Sequence, residues 1–467
     1  MTIRLTNTLG GAVEELAPLE PGHVRIYSCG PTVYGPAHVG NFRSFVFADL
    51  LRRHLAWSGF RVTWVVNITD VDDRIIRDLA ERGGTLDQLT GPHIERFLED
   101  LGRLRVTTPD VLPRATEHVA EMAALIATLL DRGHAYRTDD GSIFFRISSW
   151  PGYGQLARLD PQQMARGERV AADDYAKDDV RDFALWKGAR QGEPSWQTQI
   201  GSGRPGWHIE CSAMSMKYLG QSFDIHTGGI DLIFPHHENE IAQSEAATGK
   251  RFVRIWLHCA HLQMGGAKMA RREGNIHRPS EIYARGYRPA HLRYALLATH
   301  YRAPLEFTDE ALDHARAAVE RLTTAVRALD AYVEDRPDDT ALEGTLAAAH
   351  DSFRRGLDDD LNVSAALAAM FDLVRDLNRR VDERGLSTHD ARRGAAALRE
   401  LDSVLGILDE PDDLPVGAAD LLERRAAARA ARDWSESDRL RDQLAAVGVV
   451  VEDTRDGQRW RRGGNSG

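Results

Sequence analysis

His23-Val24-Arg25-Ile26-Tyr27-Ser28-Cys29, followed further on by Phe60-Arg61-Val62-Thr63-Trp64-Val65-Val66, decides the fold class. Each run is short and rich in branched and aromatic residues, and Val24 and Ile26 fall on one face of the first. Between the runs, Gly30-Pro31-Thr32 opens a turn-rich segment that lasts to Gly40. From Asn41, the apolar residues Phe42, Phe45, Val46, Leu50 and Leu55 recur at helical spacing as far as Gly59. Strand, loop, helix and strand in that order predict a βαβ unit, hence an α/β fold with a Rossmann-type parallel sheet and a right-handed crossover.

Outward from this unit, alternating signals resume after an interruption. A helix is expected after Cys211, a strand at Phe223–His226, a helix from Pro235 to Thr248 and a strand at Phe252–Leu257, with Pro235 opening its helix and Gly249 closing it. Residues 116–200 read as an insertion, with a helix at His118–Arg132 and a strand at Ser142–Ile147. After Thr308 the chain turns helical: Leu312, Ala315, Val319, Leu322, Val326 and Leu329 form one packing stripe, and Leu367, Met370, Val374, Leu377 and Val381 another. Asp409–Asp420 reads as a linker, followed by a helix pair and a hairpin turning at Asp456-Gly457. The expected division is a split catalytic domain (1–115 and 201–260), a connective insertion (116–200), a loop-bearing region (261–307), a helical bundle (308–408) and a small α+β module (413–467).

Composition sets limits. The 467 residues suit about three domains, and 42% apolar with 28% charged residues excludes collagen, disorder and a membrane bundle. No run of ~18 uncharged apolar residues occurs, and MTIRLTNTLGG has no apolar signal core, so neither a membrane partner nor export is expected. Cys29, Cys211 and Cys259 are too few for a disulfide framework, which favours a cytoplasmic home. The net charge of −11 argues against a dedicated nucleic-acid binder, yet residues 421–467 hold ten arginines against eight acids. Only five lysines stand against 54 arginines.

Three constellations carry chemistry. Pro36-Ala37-His38-Val39-Gly40-Asn41 lies between the first strand and helix, where backbone N–H groups favour phosphate. His38 could donate to a phosphate, Gly40 admits a nucleoside, and Asn41 suits a cap; an ordinary capped turn has the same look. Gly265-Gly266-Ala267-Lys268-Met269-Ala270-Arg271-Arg272-Glu273 fits a loop closing over a triphosphate, or equally a solvated basic loop. In Pro235-His236-His237-Glu238-Asn239-Glu240, His236 and Glu240 are four apart on one helical face. With Cys29 and Cys211 they would suit zinc, the alternative being buried cysteines beside a polar pair.

Together these stretches resemble the class I aminoacyl-tRNA synthetases, and closely the cysteinyl-tRNA synthetase family. The likeness runs through Cys29-Gly30-Pro31-Thr32-Val33-Tyr34, His38-Val39-Gly40-Asn41, Asn67-Ile68-Thr69-Asp70-Val71-Asp72-Asp73, Gly206-Trp207-His208-Ile209-Glu210-Cys211, Phe223-Asp224-Ile225-His226 and Asp231-Leu232-Ile233-Phe234-Pro235-His236-His237-Glu238-Asn239-Glu240, and on to Asp433-Trp434 and Trp460-Arg461-Arg462. The resemblance implies that L-cysteine and ATP (with Mg2+) give cysteinyl-adenylate, and that the cysteinyl group passes to tRNA-Cys. It implies one Zn2+ on Cys29, Cys211, His236 and Glu240, an amino-acid pocket of Gly30, Thr69, Trp207, His226 and Asp231, and ATP contacts from His38, Gly40, Asn41, Lys268 and Arg271. A monomer is expected, with Arg424, Arg425, Arg429, Arg432, Arg459, Arg461 and Arg462 as a basic track for tRNA. Trp434 and Trp460 are candidate stacking platforms, though packing inside the module is the expected role of Trp434. The nearest rival is a paralogue that hands cysteine to a free amine; a non-catalytic tRNA- or metal-binding regulator is the third reading. Two departures stand out. Asn41 replaces a histidine common in class I, and Lys268-Met269-Ala270-Arg271-Arg272 stands where the family has Lys-Met-Ser-Lys-Ser, which predicts a slowed adenylation step.

Overall fold

The computed structural model describes residues 2–158, 181–269, 274–409, 417–454 and 457–462. The chain divides into two compact units, Met1–Leu408 and Asp409–Gly467. In the first, four parallel strands lie in the order Val253–Cys259, Phe223–Gly229, His23–Ser28 and Arg61–Val66. Helix Val39–Trp57 links the His23 strand to its neighbour on one side, and helix Glu238–Thr248 links the Phe223 strand to its neighbour on the other. Strand order therefore reverses between the His23 and Phe223 strands, and the crevice at their carboxyl ends is where such sheets bind ligands.

Strand alternation sends Val24 and Ile26 into one core and Tyr27 into another. The first core joins Phe42, Phe45, Val46, Phe47 and Leu50 of helix Val39–Trp57 to the later helices, and each such side chain contributes ~1.5–3 kcal/mol by burial. Wholly buried Arg293, on helix Pro289–Leu297, locks this junction. It donates to the carbonyls of Leu405 (2.6 Å), Leu104 (2.9 Å) and Arg105 (3.2 Å) and to the Asp49 carboxylate (2.6 Å). Asp49 also accepts from Arg53 (2.8 Å) and from the Thr107 N–H (2.8 Å). Burial alone would raise the Asp49 carboxyl, but Arg293 and Arg53 outweigh it and hold it below its ordinary value.

The second core joins the sheet to a five-stranded antiparallel sheet of Ala135–Arg137, Ile143–Phe145, Phe183–Gly188, Gly201–Pro205 and Trp196–Thr198. Its anchor is Glu238, whose carboxylate accepts from the backbone N–H of Gly154 (2.8 Å), Leu156 (2.9 Å) and Ala157 (2.9 Å). Tyr153 donates to Asn239 beside it (2.5 Å).

Local departures from expectation have local causes. The first helix begins at Val39 rather than Asn41: His38 stands at the N-cap position and Asn41, in the first turn, accepts its N–H. Pro235 does not open its helix: Phe234 is extended (φ −137°, ψ 132°), Phe234–Pro235 is cis, and Ile233–His237 is an irregular turn before regular helix starts at Glu238. The Phe252–Leu257 strand shifts to Val253–Cys259.

The second unit holds helices Ala418–Ala430 and Trp434–Ala446 and an antiparallel hairpin, Val449–Thr454 with Gly457–Arg462. Leu422, Leu444, Val449 and Val451 form its core.

Candidate metal centre and nucleotide site

The carboxyl end of the His23 strand delivers Cys29 to the crevice. Its N–H pairs with the Thr227 carbonyl (3.2 Å), and the next N–H, of Gly30, donates to Asn67 Oδ1 (2.8 Å). Only glycine fits there, since a Cβ on Gly30 would lie 1.5 Å from the Asn67 carbonyl oxygen. Cys211 comes from helix Trp207–Leu219, His236 from the irregular turn, and Glu240 from the first turn of the helix behind it. Although His236 precedes the regular helix, its Nε2 reaches Glu240 Oε1 at 3.1 Å.

These four converge. Cys29 Sγ lies 3.7 Å from Cys211 Sγ and 3.7 Å from Glu240 Oε1, and the donor atoms of all four lie within 4.8 Å of one another. Tetrahedral zinc with bonds of about 2.3 Å to sulfur sets two thiolates ~3.8 Å apart, so the sulfur spacing fits that ion. A second, overlapping set shares Cys29 and Glu240 but takes His226 and His237. His237 Nε2 is 3.2 Å from Cys29 Sγ; it was not among the expected ligands, although it adjoins His236 and stands three before Glu240.

A polar shell orients the ligands. The Nδ1 of His236 pairs with His208 Nδ1 (2.9 Å), leaving its Nε2 toward the cluster. Glu240 Oε2 pairs with His226 Nε2 (3.0 Å), and His237 Nδ1 pairs with His258 (2.7 Å), which reaches Thr8 (2.8 Å). Such partners fix the tautomer and rotamer of metal ligands. The charges of these groups depend strongly on one another. Burial pushes Glu240 up, but His226 and His236 outweigh it and bring its carboxyl to about 2. Burial likewise opposes protonation of His236, yet Cys211 and Glu240 raise it to about 10. Burial raises both thiols, and for Cys29 the approach of Cys211 adds to it, whereas the hydrogen bond from Cys29 brings Cys211 to about 6.

The expected amino-acid pocket is only partly assembled around this cluster. Trp207 is 39% exposed and stacks on His236 at 4.2 Å, so it roofs the ligand. Thr69 is buried; its hydroxyl donates to Glu210 (3.0 Å) and accepts from Asn67 (3.1 Å). His226 lies behind Glu240, stacked on Trp256 at 4.5 Å, with no exposed surface. Asp231 is half-exposed and pairs with Lys268 Nζ at 2.9 Å. Burial raises the Asp231 carboxyl, and Lys268 more than reverses this.

The two nucleotide segments meet at the start of helix Val39–Trp57. The His38 N–H donates to Asn41 Oδ1 (3.0 Å), so Asn41 caps the helix. A Cβ on Gly40 would stand 3.7 Å from Met269, which places the Lys268 strand against this turn. Arg271, with Ala270, Arg272 and Glu273, lies outside the described residues.

In the second unit, two expectations change. Arg425 is wholly buried and donates to Asp453 (3.0 Å) and Gln458 (2.7 Å), so it builds the module instead of facing a partner. Trp434 is 55% exposed, with Arg429 over its ring at 5.6 Å; it is not a core residue, because Leu440 and Leu444 face inward from that helix. Trp460 is half-buried against the core, while the side chains of Arg459, Arg461 and Arg462 lie outside the description.

Comparison with known proteins agrees with this architecture. The family described as tRNA synthetases class I (C) catalytic domain matches residues 15–317, the DALR domain 352–409, and the Cysteinyl-tRNA ligase anticodon binding domain 411–461. The cysteine–tRNA ligase of Symbiobacterium thermophilum is 46% identical over 99% of this chain and 100% of its own, and that of Solibacter usitatus is 46% identical with the same coverage. Among solved structures, a Mycobacterium tuberculosis methionyl-tRNA synthetase bound to methionyl-adenylate superimposes with a TM-score of 0.59 at 16% identity, covering 82% of this chain and 90% of that one. A LeuRS–tRNA ternary complex from Agrobacterium radiobacter gives 0.60 at 13% identity, covering 84% of each. These two show the class I fold alone. With a catalytic-domain match over most of its first unit and relatives aligned end to end, the chain belongs to the cysteine–tRNA ligase family.

Proposed function

We propose that this enzyme activates L-cysteine with ATP and transfers it to tRNA-Cys, and that the cluster of Cys29, Cys211, His236 and Glu240 selects the amino acid. The observation that carries this reading is the convergence of two thiols, an imidazole and a carboxylate at the sheet's switch point. Zinc held by these four would accept the substrate's thiolate, whereas the hydroxyl of serine is a poor ligand at neutral pH. A hydrophobic pocket separates near-isosteres by only ~10–200-fold, so a sulfur-specific contact supplies discrimination that packing cannot.

The protein's own groups supply position and charge. Trp207 closes the pocket over His236, and Gly30 and Thr69 form its wall. The substrate carboxylate attacks the α-phosphorus of ATP, and pyrophosphate leaves with the electron pair of the broken P–O bond. His38, Gly40 and Asn41, at the amino end of helix Val39–Trp57, face the nucleotide, with Mg2+ accompanying ATP. Lys268 gives up Asp231 to meet the phosphates, joined by Arg271. The terminal ribose hydroxyl of the tRNA then attacks the adenylate carbonyl and releases AMP. In this reading residues 116–200 form the connective insertion, 261–307 contact the acceptor stem, 308–408 form a supporting bundle and 413–467 read the anticodon. The enzyme acts as a cytoplasmic monomer; among the described residues no helix is long and apolar enough to cross a membrane.

The amine-ligase alternative loses its support, since the chain matches an anticodon binding domain and its end-to-end relatives are cysteine–tRNA ligases. Metal analysis and cysteine-dependent ATP–pyrophosphate exchange on one preparation, followed by charging of tRNA-Cys, test the proposal. One zinc per chain, exchange with cysteine but not serine, and loss of both zinc and exchange in Cys211→Ser are expected. Exchange that survives in a zinc-free Cys211→Ser protein would refute the role of the cluster.

A further inference from the structure

Tyr27 is the residue before the last of the His23–Ser28 strand, paired with Val65 on one side and His226 on the other. Strand alternation puts its side chain on the same face as that of Cys29, two residues on. The side chain is wholly buried, in the same core as Cys211, with its ring edge-on to His226 at 5.1 Å. Its hydroxyl is shut off from solvent and, though within reach of Cys211, closes no hydrogen bond of good geometry. The ionisable groups that act on it are Cys211, Cys29 and Glu240, three members of the candidate metal set.

A buried phenol O–H without a partner costs about 1–3 kcal/mol. Phenylalanine would fill the same space without that cost, as Phe223 and Phe252 do nearby. The oxygen therefore calls for a better acceptor than the metal-free thiol supplies. A thiol sulfur is a weak acceptor, but a thiolate carries a full charge and is a good one.

We propose that Tyr27 is a positioning residue of the metal centre: its O–H donates to the Cys211 thiolate when that sulfur holds a metal ion. The bond fixes the Cys211 rotamer and withdraws electron density from its sulfur, which keeps the ion electrophilic enough to take a further sulfur from the substrate. Tyr27 touches neither ATP nor cysteine; it acts through Cys211. The inference rests on the reading that this cluster holds a metal, so its test measures the metal first.

Tyr27→Phe removes one oxygen and keeps the ring. Both proteins are loaded with Co2+, metal content is measured, and the sulfur-to-cobalt charge-transfer band is recorded alongside zinc affinity by chelator competition. One ion per chain in both, an unchanged melting temperature, a band moved to longer wavelength in the variant and zinc affinity weakened ~10-fold are expected. The Michaelis constant for cysteine rises while that for ATP holds. An identical band with zinc affinity within twofold overturns the role of Tyr27 while leaving the metal reading intact; wild-type protein that binds no stoichiometric metal overturns both. Should Tyr27→Phe not fold, wild-type chain made with 3-fluorotyrosine, a stronger donor, decides the matter. Its band must move to shorter wavelength, and an unmoved band refutes the bond.

Discussion

Two buried polar clusters in the first unit differ in how their donors and acceptors are matched. Around Arg293, the cation meets the Asp49 carboxylate and three backbone carbonyls, and Asp49 also takes an N–H and a second arginine. Donors and acceptors are matched there, and nothing further is called for. Around Cys29, two thiols, a carboxylate and several imidazoles crowd together with acceptors in excess, and the Tyr27 hydroxyl nearby closes no bond of good geometry. A matched cluster is a joint; an unmatched one, such as that of Cys29, Cys211, His236 and Glu240, could hold a cation. The difference separates the two more sharply than burial does, because Arg293, Asp49, Cys211, His236 and Glu240 are all buried.

Removing a charge from the matched cluster should have the largest effect on folding. Arg293→Met leaves Asp49 buried without its main partner, and a loss of ~3–5 kcal/mol is expected in denaturant unfolding, with metal content per folded chain unchanged. A joint that also lost its metal would erase the distinction. At the exposed pair, Lys268→Ala should leave the melting temperature in place, since a half-exposed ion pair contributes ~0–1 kcal/mol. Pyrophosphate exchange should fall ~10²–10³-fold, as when a charge-stabilising donor is deleted. At the unmatched cluster, His208→Gln removes the ring that orients His236; metal affinity should weaken ~10–100-fold in chelator competition, with little change in stability.

The smallest effect tests a carboxyl at the edge of the Arg293 joint. Asp402 Oδ1 accepts from the N–H groups of Ile407 (2.7 Å) and Leu408 (3.0 Å), yet burial holds its acid near 6. The folded state then binds this proton more tightly than the unfolded chain, whose value is ~3.9. Its contribution is therefore favourable at low pH and lost as pH rises from about 4 through 6. Asp402→Asn keeps both hydrogen bonds without the charge, so it should stabilise by about 1–2 kcal/mol at pH 7.5 and be neutral below pH 4. Unfolding curves at the two pH values check the sign.

What could be read from the chain was whatever is local. The βαβ unit was legible because Val24, Ile26, Phe42, Val46 and Leu50 repeat with the periods of strand and helix. The bundle was legible for the same reason. The meeting of Cys29, Cys211 and His236 depends on the sheet order and no spacing encodes it; residue types offered it as one option beside buried cysteines and a polar pair, and the family resemblance made it specific. Pro235 misled, since proline suits a helix start and an irregular turn alike. His258 lacked any local signal, whereas His208 and His237 lay inside the stretches that carry the resemblance and Tyr27 stands two residues before a cysteine at the end of its strand.

Glu238 and Glu240 are separated by a single residue, and the first carries the turn at 154–157 while the second belongs to the metal set. The opening turn of helix Glu238–Thr248 thus ties the two together, with Asn239 between them held by Tyr153. A shift of the turn at 154–157 would therefore reach the Glu240 carboxylate across one residue, and under the proposed function it would disturb amino-acid choice from outside the pocket.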